Sequence, residues 1–324
     1  MRRRPIIVVF LSLFLMVFQA LATDLGAEAG TKAGTEAGTE AGTGAGTGAG
    51  TARGALFKVS GHGHTLHLYG TMHVGRADFY PLEPRIRAAV AAAPTLALEI
   101  DMAGDPAAVA AAVRQHGMFP PGSPGYAGLA PERRARIEGA LREQGLDPAA
   151  VAQFKPWMLV TMLAVFDTVK LGYDPALGVD GHLAALARQG KTRIAELETM
   201  EYQAALLNRL PIEEQWRLLE ETLADMASGR QLRETREMLE AYESADRQAQ
   251  DDLMRRVESD DSLTGRFTRE ALLDERNGPM ADKVAALLAR EDKAVVAVGL
   301  LHLLGRGGVP ELLRKRGMKV ERIY

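Results

Sequence analysis

The sequence predicts an α/β fold: a central mixed sheet built from both ends of the chain, flanked by helices, with a large helical insertion. Three observations predict it. Apolar runs of strand length stand at 65–69 and 95–100 near one end of the folded part, and at 294–298 and 319–323 near the other. Between them, from about 131 to 257, apolar residues recur at helical spacing. Two of the strand-like runs, far apart in sequence, end in the same pattern, Gly70-Thr71-Met72-His73 and Gly299-Leu300-Leu301-His302.

In chain order, residues 1–22 read as a secretory signal. Arg2-Arg3-Arg4 is the positive start, 6–18 the apolar stretch, and Ala20-Leu21-Ala22 a small-x-small cleavage site. Thirteen apolar residues fall short of the about 20 that a membrane span needs. The expectation is therefore a cleaved signal, a periplasmic or secreted product and no stable membrane span afterwards, with an uncleaved anchor as the alternative. Residues 23–53 repeat Ala-Gly-Thr with one leucine and no aromatics, too little apolar surface to offset ordering entropy. They read as a disordered linker, leaving 54–324 as the folded domain.

The domain opens with a hairpin, strands 56–59 and 65–69 around Gly61-His62-Gly63. A helix at 81–93 leads to a buried strand at 95–100, then a helix at 106–115 and a Gly/Pro-rich loop at 117–128. The insertion supplies helices at 131–144, 148–154 and 157–170. Asp180 stands as the N-cap of a helix at 181–189, and 193–198 is a strand ending in a carboxylate. Helices at 200–209, 213–227 and 231–257 follow. The end is helix 269–290, strand 294–298, helix 309–316 and strand 319–323. Pro279 is expected to interrupt the first of these helices, because it removes a backbone donor.

Composition narrows the function. The formal charge of −3 becomes −6 once the three signal arginines are removed, and no basic block exists, so nucleic acid is not expected as a partner. The absence of Cys excludes disulfides, thiolate zinc sites and cysteine nucleophiles. Neither His-Glu-x-x-His nor Gly-x-Ser-x-Gly occurs.

His73 and His302 each follow a strand that stops at a glycine, Gly70 and Gly299, where the backbone can turn sharply. Open α/β sheets bind ligands beyond the carboxyl ends of their strands, so two such imidazoles suggest one shared site. Glu99, closing the 95–100 run, is the third member. Two imidazoles and a carboxylate suit a divalent ion with positions left for water. The alternative is that each histidine only hydrogen-bonds loop backbone. Arg276 lies on the apolar stripe formed with Leu272, Met280, Val284 and Leu288, and a guanidinium facing a core needs an anionic partner. Glu99, another carboxylate or a substrate oxyanion would serve. Asn277 adjoins it. Asp180 is most simply a helix cap, Glu198 a strand-end carboxylate, and Gln203 a packing residue on the following helix. His62, His64 and His67 crowd the hairpin, where the alternation with Leu66 and Leu68 puts His67 on the exposed face with Thr65 and Tyr69. His116 and His182 sit at helix ends.

Taken together, Leu68-Tyr69-Gly70-Thr71-Met72-His73-Val74-Gly75, Glu99 in Leu98-Glu99-Ile100, Gly178-Val179-Asp180, Leu197-Glu198-Thr199 with Gln203, Arg276-Asn277 with Met280, and Val298-Gly299-Leu300-Leu301-His302-Leu303-Leu304-Gly305 resemble the TraB/GumN family, which includes the Tiki metalloproteases. The resemblance implies a fold similar to erythromycin-esterase-like and ChaN-like proteins. It also implies a metal-dependent peptidase using both Gly-x-x-His motifs and the glutamate. Here those are His73, His302 and Glu99, with manganese or cobalt favoured and zinc possible. Family members often carry Trp followed by Gly-Asp where this chain has Tyr242-Glu243-Ser244-Ala245-Asp246, which bears on the substrate channel.

The expected function is a secreted or periplasmic metal-dependent hydrolase cutting an amide bond of a peptide or small molecule through a metal-activated water. Glu99 would complete the metal shell or act as general base, and Arg276 with Asn277 would meet the oxyanion. The alternatives are a non-enzymatic protein holding a metal, haem or small ligand on the same scaffold, and an esterase acting on a small ester or lactone. The sequence leaves substrate and oligomeric state open.

Overall fold

The computed structural model describes residues 50–324. The expected signal at 1–22 and the repeat up to residue 49 lie outside the described residues. Of the linker, Arg53 already lies against the domain, its guanidinium 4.5 Å from the centre of the Phe79 ring.

Six strands form one sheet: β1 Leu56–Gly61, β2 His64–Thr71, β3 Thr95–Leu98, β4 Arg193–Glu196, β5 Ala294–Gly299 and β6 Lys319–Arg322. Their spatial order is β4-β3-β5-β2-β1-β6. β4, β3, β5 and β2 are mutually parallel, and β1 runs antiparallel to β2 and β6, so the sheet is mixed. β5, from the chain's far end, is inserted between β2 and β3, which realises the expected assembly from both ends. Its residues Ala294 to Ala297 are fully buried, as a strand covered on both faces must be. The alternation expected of β2 fails at Tyr69, which is buried together with Leu68. Tyr69 turns inward onto Tyr242, the two hydroxyls 3.4 Å apart.

The helices are α1 Pro84–Ala92, α2 Pro106–Gly117, α3 Pro131–Glu143, α4 Pro148–Val151, α5 Pro156–Lys170, α6 Val179–Gly190, α7 Met200–Leu207, α8 Ile212–Ala227, α9 Arg230–Glu243, α10 Arg247–Glu258, α11 Leu263–Phe267, α12 Glu275–Arg290 and α13 Val309–Lys315. The first five begin on proline, whose missing N–H costs nothing in the first turn. The helix expected at 231–257 is two. Ala245 takes a positive φ of 50°, and Asp246 then caps α10 by accepting from the Ala249 N–H at 2.7 Å. The interruption expected at Pro279 is absent, and α12 runs through it. Pro279 and Glu275 are exposed, so the Glu275 carbonyl that loses its i+4 donor faces water. The irregularity lies upstream instead, in a π-helical stretch at Thr268–Asp274.

Two cores result. One surrounds the sheet and takes in α1, α6, α12 and α13. The other belongs to the helical insertion and is built on the almost wholly buried α5, with Trp157 fully buried and Tyr126 edge-on to Trp216 at 4.8 Å. Among the described residues, no helix is long and apolar enough to cross a membrane.

Candidate functional site

Because four strands are parallel, their carboxyl ends share one edge of the sheet, and the candidate residues leave from that edge. In register, Gly70 lies beside Val298, Thr71 beside Gly299, and Leu98 beside both Ala297 and Glu196. His73, Glu99, Glu198 and the turn carrying His302 therefore emerge side by side. Neither motif glycine has a positive φ, so backbone freedom is not what requires them. Space is. A Cβ on Gly70 would stand 3.0 Å from the Leu300 side chain. One on Gly299 would stand 3.1 Å from Glu99 Oε1 and 3.7 Å from His73 Nε2 and from the His302 ring, so these three side chains surround that glycine.

Each imidazole is held by its Nδ1. His73 Nδ1 lies 2.8 Å from Asp180 Oδ2, and the other oxygen of Asp180 accepts from the Thr71 hydroxyl. His302 Nδ1 lies 2.6 Å from Asn277 Oδ1, and the Asn277 amide is oriented by donating to the Gly307 carbonyl at 2.9 Å. In its neutral form, with Nδ1–H directed at the oxygen acceptor, each ring leaves Nε2 as its free lone pair, the arrangement that metal-binding imidazoles use. His302 Nε2 is 3.7 Å from Glu99 Oε1.

Below them lies a buried charge network. Glu99 Oε1 accepts from the Gly299 N–H at 2.5 Å, and Oε2 accepts from Arg276 at 2.6 Å and Gln203 at 3.4 Å. Glu198 accepts from Arg276 Nε at 3.0 Å, Arg276 Nη2 at 2.6 Å and Gln203 at 2.8 Å. Arg276 Nη1 donates to the Leu272 carbonyl at 3.3 Å. The expected anionic partners of Arg276 are thus Glu99 and Glu198, leaving the guanidinium one uncommitted N–H.

Burial works against charge on His73, but the Asp180 carboxylate beside it, with Glu99, pushes its pKa up to about 9. Burial, helped by the Arg276 charge, takes His302 down to about 3. Burial also opposes charge on Glu99, yet the cations of Arg276 and His73 and the Gly299 N–H hold its carboxyl well below the usual range. Three carboxylates (Glu99, Glu198, Asp180) face one guanidinium here. With His73 holding its proton the site carries a formal charge of −1; once that proton leaves, the charge is −2, an excess that one divalent cation would balance. The donor set fits such an ion: two nitrogens with fixed tautomers and a carboxylate oxygen whose other bond is a single backbone N–H. Among the described residues, however, no group of three His, Asp or Glu side chains stands ready as a metal shell.

A cavity of about 270 Å³ opens onto His73 and Asp180, with largely apolar walls from Leu98, Ile100 and Met102. His302, Glu99 and Arg276 lie beneath, so solvent reaches the site past His73.

All ten candidate residues fall in this one region, but two have roles other than expected. Asp180 is not a cap: Gly178 holds that position without a side-chain bond, and Asp180 orients His73 from the first turn of α6. Gln203 does more than pack, since it bridges Glu99 and Glu198. Arg276 meets carboxylates, which were among its expected partners, and keeps one N–H uncommitted. Thr71 was not singled out by the sequence, although its place between Gly70 and His73 was a signal. The remaining histidines are elsewhere: His64 faces the Leu288 carbonyl at 2.9 Å, His116 pairs with Glu201 at 2.6 Å, and His182 stacks on Tyr80. Tyr242, where the family pattern differs, is buried against Tyr69 and is not among the residues lining the cavity.

A sequence model of the TraB/PrgY/gumN family matches residues 55–322. The chain belongs to that family. Among curated relatives it is 28% identical over 258 residues to "Uncharacterized protein YbaP" of Escherichia coli (strain K12), covering 76% of this chain and 87% of the relative. The protein of the same name from Shigella flexneri gives the same figures. No solved structure matches.

Proposed function

We propose that this TraB/PrgY/gumN family chain is a metal-dependent hydrolase that cuts an amide bond, most simply in a peptide, after export to the periplasm or beyond. The observation that carries the reading is the pair of Nδ1-anchored imidazoles that meet Glu99 around Gly299, beside three carboxylates that share one guanidinium. His73 and His302 would hold the ion, manganese or cobalt by family resemblance, with zinc possible. A divalent cation there supplies Lewis acidity for a scissile carbonyl and lowers the pKa of water.

The chain's own residues divide the remaining work. Glu99 serves as a ligand rather than a base, because a carboxyl held so far below its usual range is a poor proton acceptor. Arg276 fixes Glu99 and Glu198 and is a positioning residue. Asp180 and Asn277 set the ring orientations of the two histidines. The apolar cavity beside His73 receives the substrate and keeps bulk water from it.

A second reading, a protein that holds an ion or small ligand without turnover, draws on the burial of His302 and Glu99, 3% and 5% exposed. A cavity of about 270 Å³ favours a small ligand over haem in that case. Digestion of a peptide library with and without chelator separates the two. The hydrolase reading predicts cleavage that chelation abolishes and added manganese or cobalt restores. Bound metal with no product from peptide or ester panels would overturn it.

A further inference from the structure

On helix α6, Asp180, Ala184 and Arg188 recur at i+4 steps and form one wall of the cavity whose base is His73. Arg188 is therefore two turns from Asp180, about 12 Å along the axis at 1.5 Å per residue. That is the length of roughly three residues of extended chain. Across the cavity, Asp101 grips Arg188 through Nη2, at 2.6 and 2.5 Å to its two oxygens. Asp101 is itself pinned, its N–H donating to Glu196 Oε1 at 2.7 Å.

The pair is unequal in what it leaves open. Each oxygen of Asp101 accepts from Arg188 and its side chain is 12% exposed, whereas Arg188 is 41% exposed and, among the described residues, its Nε and Nη1 make no hydrogen bond. Asp101 thus holds in place a guanidinium that belongs to the cavity lining. A fixed arginine with a free edge is suited to a planar oxyanion such as a carboxylate.

We propose that the cavity binds an extended segment in which an anionic group, a C-terminal carboxylate or an acidic side chain, sits on Arg188 two to three residues from the site at His73, with apolar side chains against Ile100 and Met102. Calling that segment a substrate rests on the hydrolase reading; selectivity for the anion does not.

The test is binding, read by NMR titration of the full chain before and after chelation, so that turnover plays no part. The probes are N-acetyl-Ala-Leu-Ala as free acid, the same peptide as C-terminal amide, and N-acetyl-Ala-Leu-Glu amide. The wild type should bind one or both acidic peptides about tenfold more tightly than the neutral amide, the scale of one charge-assisted hydrogen bond. Which acid is preferred distinguishes a terminal carboxylate from a side chain. Arg188→Gln should abolish the preference. Arg188→Lys, a variant that keeps the charge should the glutamine variant fail to fold, should retain only part of it. Equal binding of all three peptides, no binding, or a preference that survives in Arg188→Gln would overturn the proposal. None of these outcomes bears on metal-dependent cleavage, which the peptide library tests separately.

Discussion

Asp180 governs the protonation of His73, because its carboxylate supplies the main attraction that outweighs burial there. In the metal-free Asp180→Asn variant the His73 pKa should fall from about 9 to below the ordinary 6.5, seen by NMR titration of the ring. An unchanged value would show that the contact does not set it. The linkage has a definite sign. A pKa raised from 6.5 to about 9 gives stability that is complete below pH 6.5 and lost as pH rises through 9. Metal-free protein should therefore weaken toward alkaline pH relative to His73→Asn, and bound metal, which replaces the proton, should flatten that limb. Arg276 is the complementary case. Arg276→Met leaves Glu99 and Glu198 buried without their cation and should cost about 3–5 kcal/mol in urea unfolding. Those carboxyls would then prefer the proton, so the loss should grow as pH rises above the carboxylate range. A cost below about 1 kcal/mol would mean that the network relaxes to admit water.

At the scale of elements, the two motif turns are close-packed junctions. Gly299→Ala drives a methyl toward Glu99 Oε1 and should lower metal occupancy tenfold or more while leaving the fold intact. Trp157→Ala, in the insertion's core, should do the reverse, costing about 3–5 kcal/mol with occupancy retained. Metal analysis and thermal unfolding of both variants read the contrast, and equal effects of both on metal would contradict it. Much of this architecture was legible because strand and helix periods differ so plainly: the buried run at 294–298 and the helices led by Pro106, Pro131 and Pro156 were found within two residues, whereas the first helix starts at Pro84 rather than Pro81 and the one at Pro148 ends three residues early. What escaped was tertiary. Asp180 looks like a cap in sequence because Asp before a helix usually is one, and only the docking of α6 on the His73 loop, with Val179 N–H on the Met72 carbonyl at 2.9 Å, reveals another partner. The break at Ala245 likewise depends on a left-handed residue that no local pattern announces. Gln203 gained its role from a carboxylate 104 residues away.

For the whole molecule, one sheet edge gathers the candidate side chains just beyond the strand ends at 71, 98 and 299, while the insertion contributes α6 and the cavity wall. The convergence of the two Gly-x-x-His turns was readable as a repeated pattern, but the balance of three carboxylates against one guanidinium emerged only when α12 was seen to cross beneath them. That negative excess is the physical basis on which a divalent cation is proposed here. Elemental analysis of the purified full chain tests it most directly, with His73→Ala and His302→Ala beside the wild type. The account predicts about one divalent ion per wild-type chain and a loss of at least tenfold in both variants. Full occupancy in both variants, or a wild type that takes up no ion when supplied with manganese, cobalt or zinc, would contradict it.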